Sequence, residues 1–135
     1  MDLHESVHRI LTQQQTFADL FYLVFLERYP AVRQHFEGVN MQHQGVLLTM
    51  ALMVMERHYS GSYPATQMYL RYLGTKHHDR GIARELFPHF HDALMATLER
   101  FHSTDWNASL ANQWHEAIDR TIKTMLEGYR EHFSV

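Results

Sequence analysis

The sequence predicts an all-α domain built as a pile of crossed helices. Three observations carry that prediction. Apolar residues recur at three- and four-residue intervals in successive long stretches, the spacing of one buried helix face. No stretch alternates apolar and polar residues over the length of a strand, so nothing supplies a half-buried sheet. The three prolines, Pro30, Pro64 and Pro88, stand near the edges of the periodic stretches, where a helix tolerates them as boundaries or first-turn positions. The stretches also differ in length and in their connections, which suits crossed packing better than a symmetric four-helix bundle.

The elements follow in order. From about Thr16 to Tyr29, Phe17, Leu20, Phe21, Val24, Phe25 and Arg28 mark a helix, and Pro30 opens a short turn running to Phe36. Glu37-Gly38-Val39-Asn40 breaks the pattern, with Asn40 placed to cap a long helix from Met41 to about Tyr59. Gln44, Leu47, Leu48, Ala51, Leu52 and Met55 share one face of that helix. Ser60-Gly61-Ser62 is a linker, and Pro64 starts the next helix, which ends at the turn Asp79-Arg80-Gly81. Leu86, Phe90, Ala93, Leu94, Thr97 and Phe101 mark a further helix. Trp114, Ala117, Ile118, Thr121, Ile122, Met125 and Tyr129 mark the last, with Asp105 expected as its cap.

A chain of 135 residues with 45% hydrophobic content suits one domain, residues 1–135, around one core. With no cysteine there is no disulfide framework, thiolate metal site or thiol nucleophile. The start, Met1-Asp2-Leu3-His4-Glu5, is polar and acidic and lacks the form of a secretory signal. The longest apolar run, Val46 to Met55, is interrupted by Thr49 and is too short to span a bilayer. A soluble, cytoplasmic protein with no membrane contact is expected. The formal net charge of -3, without a Lys/Arg cluster, argues against nucleic acid. The 12 histidines are scattered through every segment and are expected mostly at the surface.

One histidine stands apart. Leu70, Leu73 and His77 fall at i, i+3 and i+7, so they share a stripe at a helix end. A neutral imidazole in an apolar wall is what an iron porphyrin needs as its fixed axial ligand. The neighbouring His78 is a rival, but its side chain lies about 100° further round the helix.

The ordered set Phe21-Tyr22, Tyr29-Pro30, Phe36, Met41-Gln42-His43-Gln44 with Leu48, Lys76-His77 with Gly81-Ile82, and Trp114 resembles a bacterial single-domain globin. It is similar to the heme domain of flavohemoglobins and to related oxygen-binding globins, over nearly the whole chain from Phe17 onward. The resemblance implies a globin-like fold enclosing heme b (iron protoporphyrin IX), with His77 as the proximal iron ligand and Phe36 flat against the porphyrin. It implies that Tyr22 and Gln44 are the distal pair facing bound dioxygen, and that Leu48 roofs the site. Ile82, Phe87, Phe90 and Leu94 would line the proximal side. A one-residue slip in the loop after Phe36 would put His43 in place of Gln44. The implied function is reversible binding of dioxygen and related diatomics (CO and NO), for oxygen binding, transport or storage, or for nitric oxide chemistry.

The chain departs from the flavohemoglobin pattern in two respects. Phe87 stands where those proteins carry a tyrosine that polarises the proximal imidazole, and the matching glutamate is at best Glu131, near the end of the last helix. No reductase domain is expected beyond Val135, so turnover as a nitric oxide dioxygenase is expected to need an external reductase.

Two other readings compete. Glu5-Ser6-Val7-His8 and Glu99-Arg100-Phe101-His102 are both Glu-x-x-His, the unit from which non-heme di-iron carboxylate bundles are built. The first lies at the fraying N-terminus and the second at a helix end, and Leu47, Leu48 and Leu52 occupy a helix middle that offers no carboxylate. A cofactor-free helical interaction module would use the eight methionines as adaptable surface, yet Met50, Met53 and Met55 are expected to be largely buried.

Overall fold

The structure is a computed structural model and describes residues 1–132. It contains six α-helices: α1 (Leu3–Thr12), α2 (Gln14–Arg28), α3 (Met41–Ser60), α4 (Pro64–Asp79), α5 (Leu86–His102) and α6 (Ala108–Glu131). A 3-10 turn spans Pro30–Phe36 and another spans Ser103–Asp105. There is no strand among the described residues, as the periodicity predicts.

The α1 helix is not among the expected elements. Asp2 caps it by accepting from the Glu5 backbone N–H at 2.9 Å, and the Glu5 carboxylate reaches back to the Asp2 N–H. This reciprocal pair satisfies two donors that the first turn cannot bond internally. Leu3, Val7 and Ile10 then bury one stripe, and Ser6 on the same side holds the Trp114 indole N–H at 3.0 Å.

The α2 helix lacks a polar face over much of its length. Phe17, Ala18, Phe21, Tyr22, Val24 and Phe25 are all buried, because the helix is covered by α5, by α3 and by the 3-10 turn that follows it. A helix apolar on most sides is a central one. Asn40 caps α3 as expected, accepting from the His43 N–H at 3.1 Å. Pro30 and Pro64 occupy first-turn positions, where no N–H is missed.

Two expectations about caps and burial need correction. Asp105 does not cap α6. Its carboxylate takes the Arg9 guanidinium of α1, and Asn107 caps instead by accepting from the Leu110 N–H at 2.9 Å. Met55 is buried, but Met50 and Met53 are about half exposed, at 50% and 49%, since they lie on the side of α3 turned away from the core.

The most extensive packing joins α4 to α6, and two glycines permit it. A Cβ on Gly74 would stand 1.8 Å from the Met125 carbonyl oxygen, and one on Gly128 would stand 2.0 Å from that of Arg71. The helices thus meet backbone to backbone, and Thr75 adds a hydrogen bond from its hydroxyl to the Gly128 carbonyl at 2.9 Å. This contact fixes the height and rotation of α4, which carries His77 in its last turn.

Candidate functional site

The end of α4 shows why His77 is followed by x-x-x-Gly-Ile. The Gly81 N–H bonds the His78 carbonyl at 2.9 Å, and the Ile82 N–H bonds the His77 carbonyl at 3.1 Å. These are the paired bonds of a Schellman stop, which needs a left-handed residue just past the helix. Gly81 supplies it with φ +77°. The spacing is therefore a helix terminator that places half-buried Ile82 beside the carbonyl of His77.

His77 is itself half-buried, and its Nδ1–H donates to the Leu73 carbonyl at 2.7 Å. That bond selects the tautomer whose Nε2 keeps a free lone pair. Burial lowers the pKa of the imidazole below its ordinary value. The Leu73 carbonyl opposes that shift, and the Arg80 guanidinium adds to it. The ring is thus a neutral donor at neutral pH. Phe87, buried on α5, stands beside it with ring centroids 6.2 Å apart.

His78, one step round the helix, is exposed and faces Tyr129 of α6 and His132 just past its end. Tyr129 packs edge-on against Phe87, with centroids 5.7 Å apart, but its hydroxyl donates to the Ile82 carbonyl at 2.7 Å. The His77 imidazole therefore has a backbone carbonyl for a partner, and Glu131 is exposed.

Tyr22 is brought against Phe36, with centroids 5.4 Å apart and planes at 69°, and against Phe21. Its phenol is buried, which pushes the pKa up to about 12, while the Gln44 side chain pulls the other way by hydrogen bonding. Tyr22 and Gln44 are therefore neighbours, and the phenol keeps its proton at any physiological pH. His43 is exposed and belongs to a separate groove between the starts of α2 and α3, with Gln15, Asp19 and Gln42. Leu48, one turn beyond Gln44, is buried at 5% exposure. Phe90 packs on Phe21 and Phe25 at 5.4 and 6.2 Å, and Leu94 is fully buried behind it.

A model of the globin family matches residues 18–125, a span that takes in Tyr22, Phe36, Gln44, Leu48, His77, Ile82, Phe87, Phe90 and Leu94. The chain belongs to the globin family. Among solved structures this globin is similar to a Pseudomonas aeruginosa PAO1 protein that is itself structurally highly homologous to a human hemoglobin. The two chains are 26% identical with a TM-score of 0.76, over 92% of this chain and 98% of that one. The search of the curated proteins found no match. No described helix of the globin is long and apolar enough to cross a membrane.

The rival di-iron reading finds no support in the geometry. Glu5, His8 and Glu99 are all exposed. His102 is buried, but its Nε2 is engaged with the Ser6 hydroxyl. The histidines lie mostly outside the core, as expected, with His102 and His58 as the buried exceptions; His58 Nε2 bonds the Thr124 hydroxyl at 2.9 Å. Their neighbours in the sequence give no sign of it, because both partners come from other helices.

Proposed function

We propose that this globin, as one domain over residues 1–135, holds heme b through His77 Nε2 and reversibly binds dioxygen and related diatomics beside Tyr22 and Gln44. The reading rests above all on His77, a desolvated, neutral imidazole whose Nδ1–H is tied to its own helix. The donor set fits the group, since an axial ligand must offer a fixed lone pair in an apolar wall. Heme, when bound, supplies the iron that takes the diatomic ligand.

The chain's own residues do the rest. The Leu73 carbonyl holds the ring angle and tautomer of His77. Phe36, Leu48, Ile82, Phe87, Phe90 and Leu94 are the apolar lining, keeping water out and the local dielectric low. Tyr22 keeps its hydroxyl proton and can donate it to a polar diatomic ligand, with Gln44 as the second polar group. Such a donor favours dioxygen, which draws charge on binding, over carbon monoxide.

The proximal side favours reversible binding over oxygen activation. A neutral carbonyl on Nδ1 leaves the imidazole a weaker electron donor than a carboxylate partner would. Phe87 carries no hydroxyl to add to it. The cysteine-free composition suits the reducing cytoplasm.

Hemin titration of two variants tests the assignment. His77→Ala is expected to lose or greatly loosen heme, and His78→Ala to retain it. Retention of heme with an unchanged spectrum in His77→Ala would overturn the ligand assignment.

A further inference from the structure

We propose that His78, Asp79 and His132 form a surface site for a divalent transition-metal ion of the zinc class, bridging the ends of α4 and α6. The three residues each offer a ligand atom, and these atoms lie within 4.8 Å of one another. The His78 and His132 rings are 4.7 Å apart at 71°, and His78 Nδ1 is 3.4 Å from Asp79 Oδ1. Two imidazoles and one carboxylate are a ligand set for Zn²⁺, with the remaining position left to water. All three residues are exposed, so an ion and its water can enter freely.

The backbone brings these groups together. His132 ends α6 in the left-handed conformation, with φ +52° and ψ +56°, and its N–H bonds the Gly128 carbonyl at 3.0 Å. A residue with a Cβ is strained in that conformation, and the turn keeps His132 beside α4. Gly74 and Gly128 let α4 and α6 touch backbone to backbone nearby, so the two histidines stand on a rigid crossing. Ligands at about 2.0–2.1 Å from a tetrahedral ion are about 3.3 Å apart. Exposed side chains need close only a short gap to reach that spacing.

The other histidine pair of the surface serves as a control. His91 Nε2 lies 2.9 Å from His115 Nδ1, and His91 Nδ1 lies 3.2 Å from the Asp119 carboxylate. Both His91 nitrogens are thus engaged, and the pair offers two ligands at most. An ion at His78 would also brace the Schellman turn that carries His77. The site itself uses neither His77 nor heme, so it stands independently of the proposed function.

Calorimetric titration of Zn²⁺ into the full chain, with and without hemin, tests the site. One equivalent is expected to bind in both forms and to raise the melting temperature. It should vanish in His78→Gln and in His132→Asn, the latter keeping a residue that tolerates the left-handed turn, and persist in His115→Gln. Long-range imidazole nitrogen spectra of the unaltered protein give a second readout, with shifts expected at His78 and His132. No stoichiometric Zn²⁺, an equivalent retained in His132→Asn, or shifts confined to other histidines would overturn the proposal.

Discussion

Replacing Tyr22 by Phe removes one oxygen atom from a site where the structure leaves little else to change. The ring is 9% exposed and sits against Phe21 and Phe36 with centroids 5.0 and 5.4 Å away, and phenylalanine keeps both contacts. The phenol, its pKa pushed to about 12 by burial, is a neutral donor throughout the working pH range. The variant loses the hydrogen bond between the phenol and Gln44 and, on the proposed function, one hydrogen bond to a ligand that draws charge, the latter worth about 1.5–3 kcal/mol when the acceptor is charged. At about 1.4 kcal/mol per factor of ten, that is roughly a ten- to hundredfold faster dioxygen dissociation. Gln44, beside Tyr22, remains as a second polar group and holds the effect toward the lower end. Carbon monoxide carries little charge, so its dissociation should change about threefold or less, by less than 1 kcal/mol. Stopped-flow displacement of each ligand measures both rates on one preparation. A dioxygen rate within twofold of the parent, or equal changes for both gases, would refute the donor role of Tyr22.

Two further outcomes follow from the packing and the buried histidines. Gly128→Ala places a Cβ 2.0 Å from the Arg71 carbonyl oxygen, where a backbone atom must give way. A loss of about 3 kcal/mol and a fall of about 10 °C in the melting temperature are expected by calorimetry, and an unchanged melting temperature would contradict the close approach. His102 is buried with its pKa lowered to about 4 by burial, with the Arg9 charge adding to the shift. The unfolded chain therefore takes up the proton at higher pH than the folded one. Stability from this group is complete above about pH 6.5 and falls between 6.5 and 4, by up to about 3 kcal/mol at about 1.4 kcal/mol per unit. His58 is shifted in the same direction. Chemical denaturation at pH 7 and pH 5 measures the loss, and equal stability at the two values would contradict neutral burial of His102.

Much of this architecture is legible in the sequence because its signals are local. Pro30, Pro64, Asn40 and Gly81 each act on the turn in which they stand, and the apolar stripe of α6 needs only its own spacing. The pairing of Tyr22 with Gln44, by contrast, enters through resemblance, since no periodicity relates residues on different helices. The missed features are tertiary. Asp105 looks like a cap until Arg9, far away in sequence, claims its carboxylate. The close contact of Gly74 and Gly128 is silent in a single sequence, as either glycine reads only as a weak point in a helix. The α1 helix is different, because its Asp2-x-x-Glu5 box was available. Its apolar stripe of Leu3, Val7 and Ile10 was legible too, but the helix is only ten residues long and its box begins with Asp in place of the usual Ser or Thr.

The central claim is that this globin binds heme through His77, and one absorption experiment addresses it most directly. Hemin is titrated into the purified chain and spectra are taken in the ferric, ferrous and carbon monoxide-bound forms, alongside an iron assay. A Soret band saturating at one heme per chain, shifting on reduction and again with carbon monoxide, is the predicted result. Hemin that fails to bind stoichiometrically, or a ferrous spectrum indifferent to carbon monoxide, would contradict it.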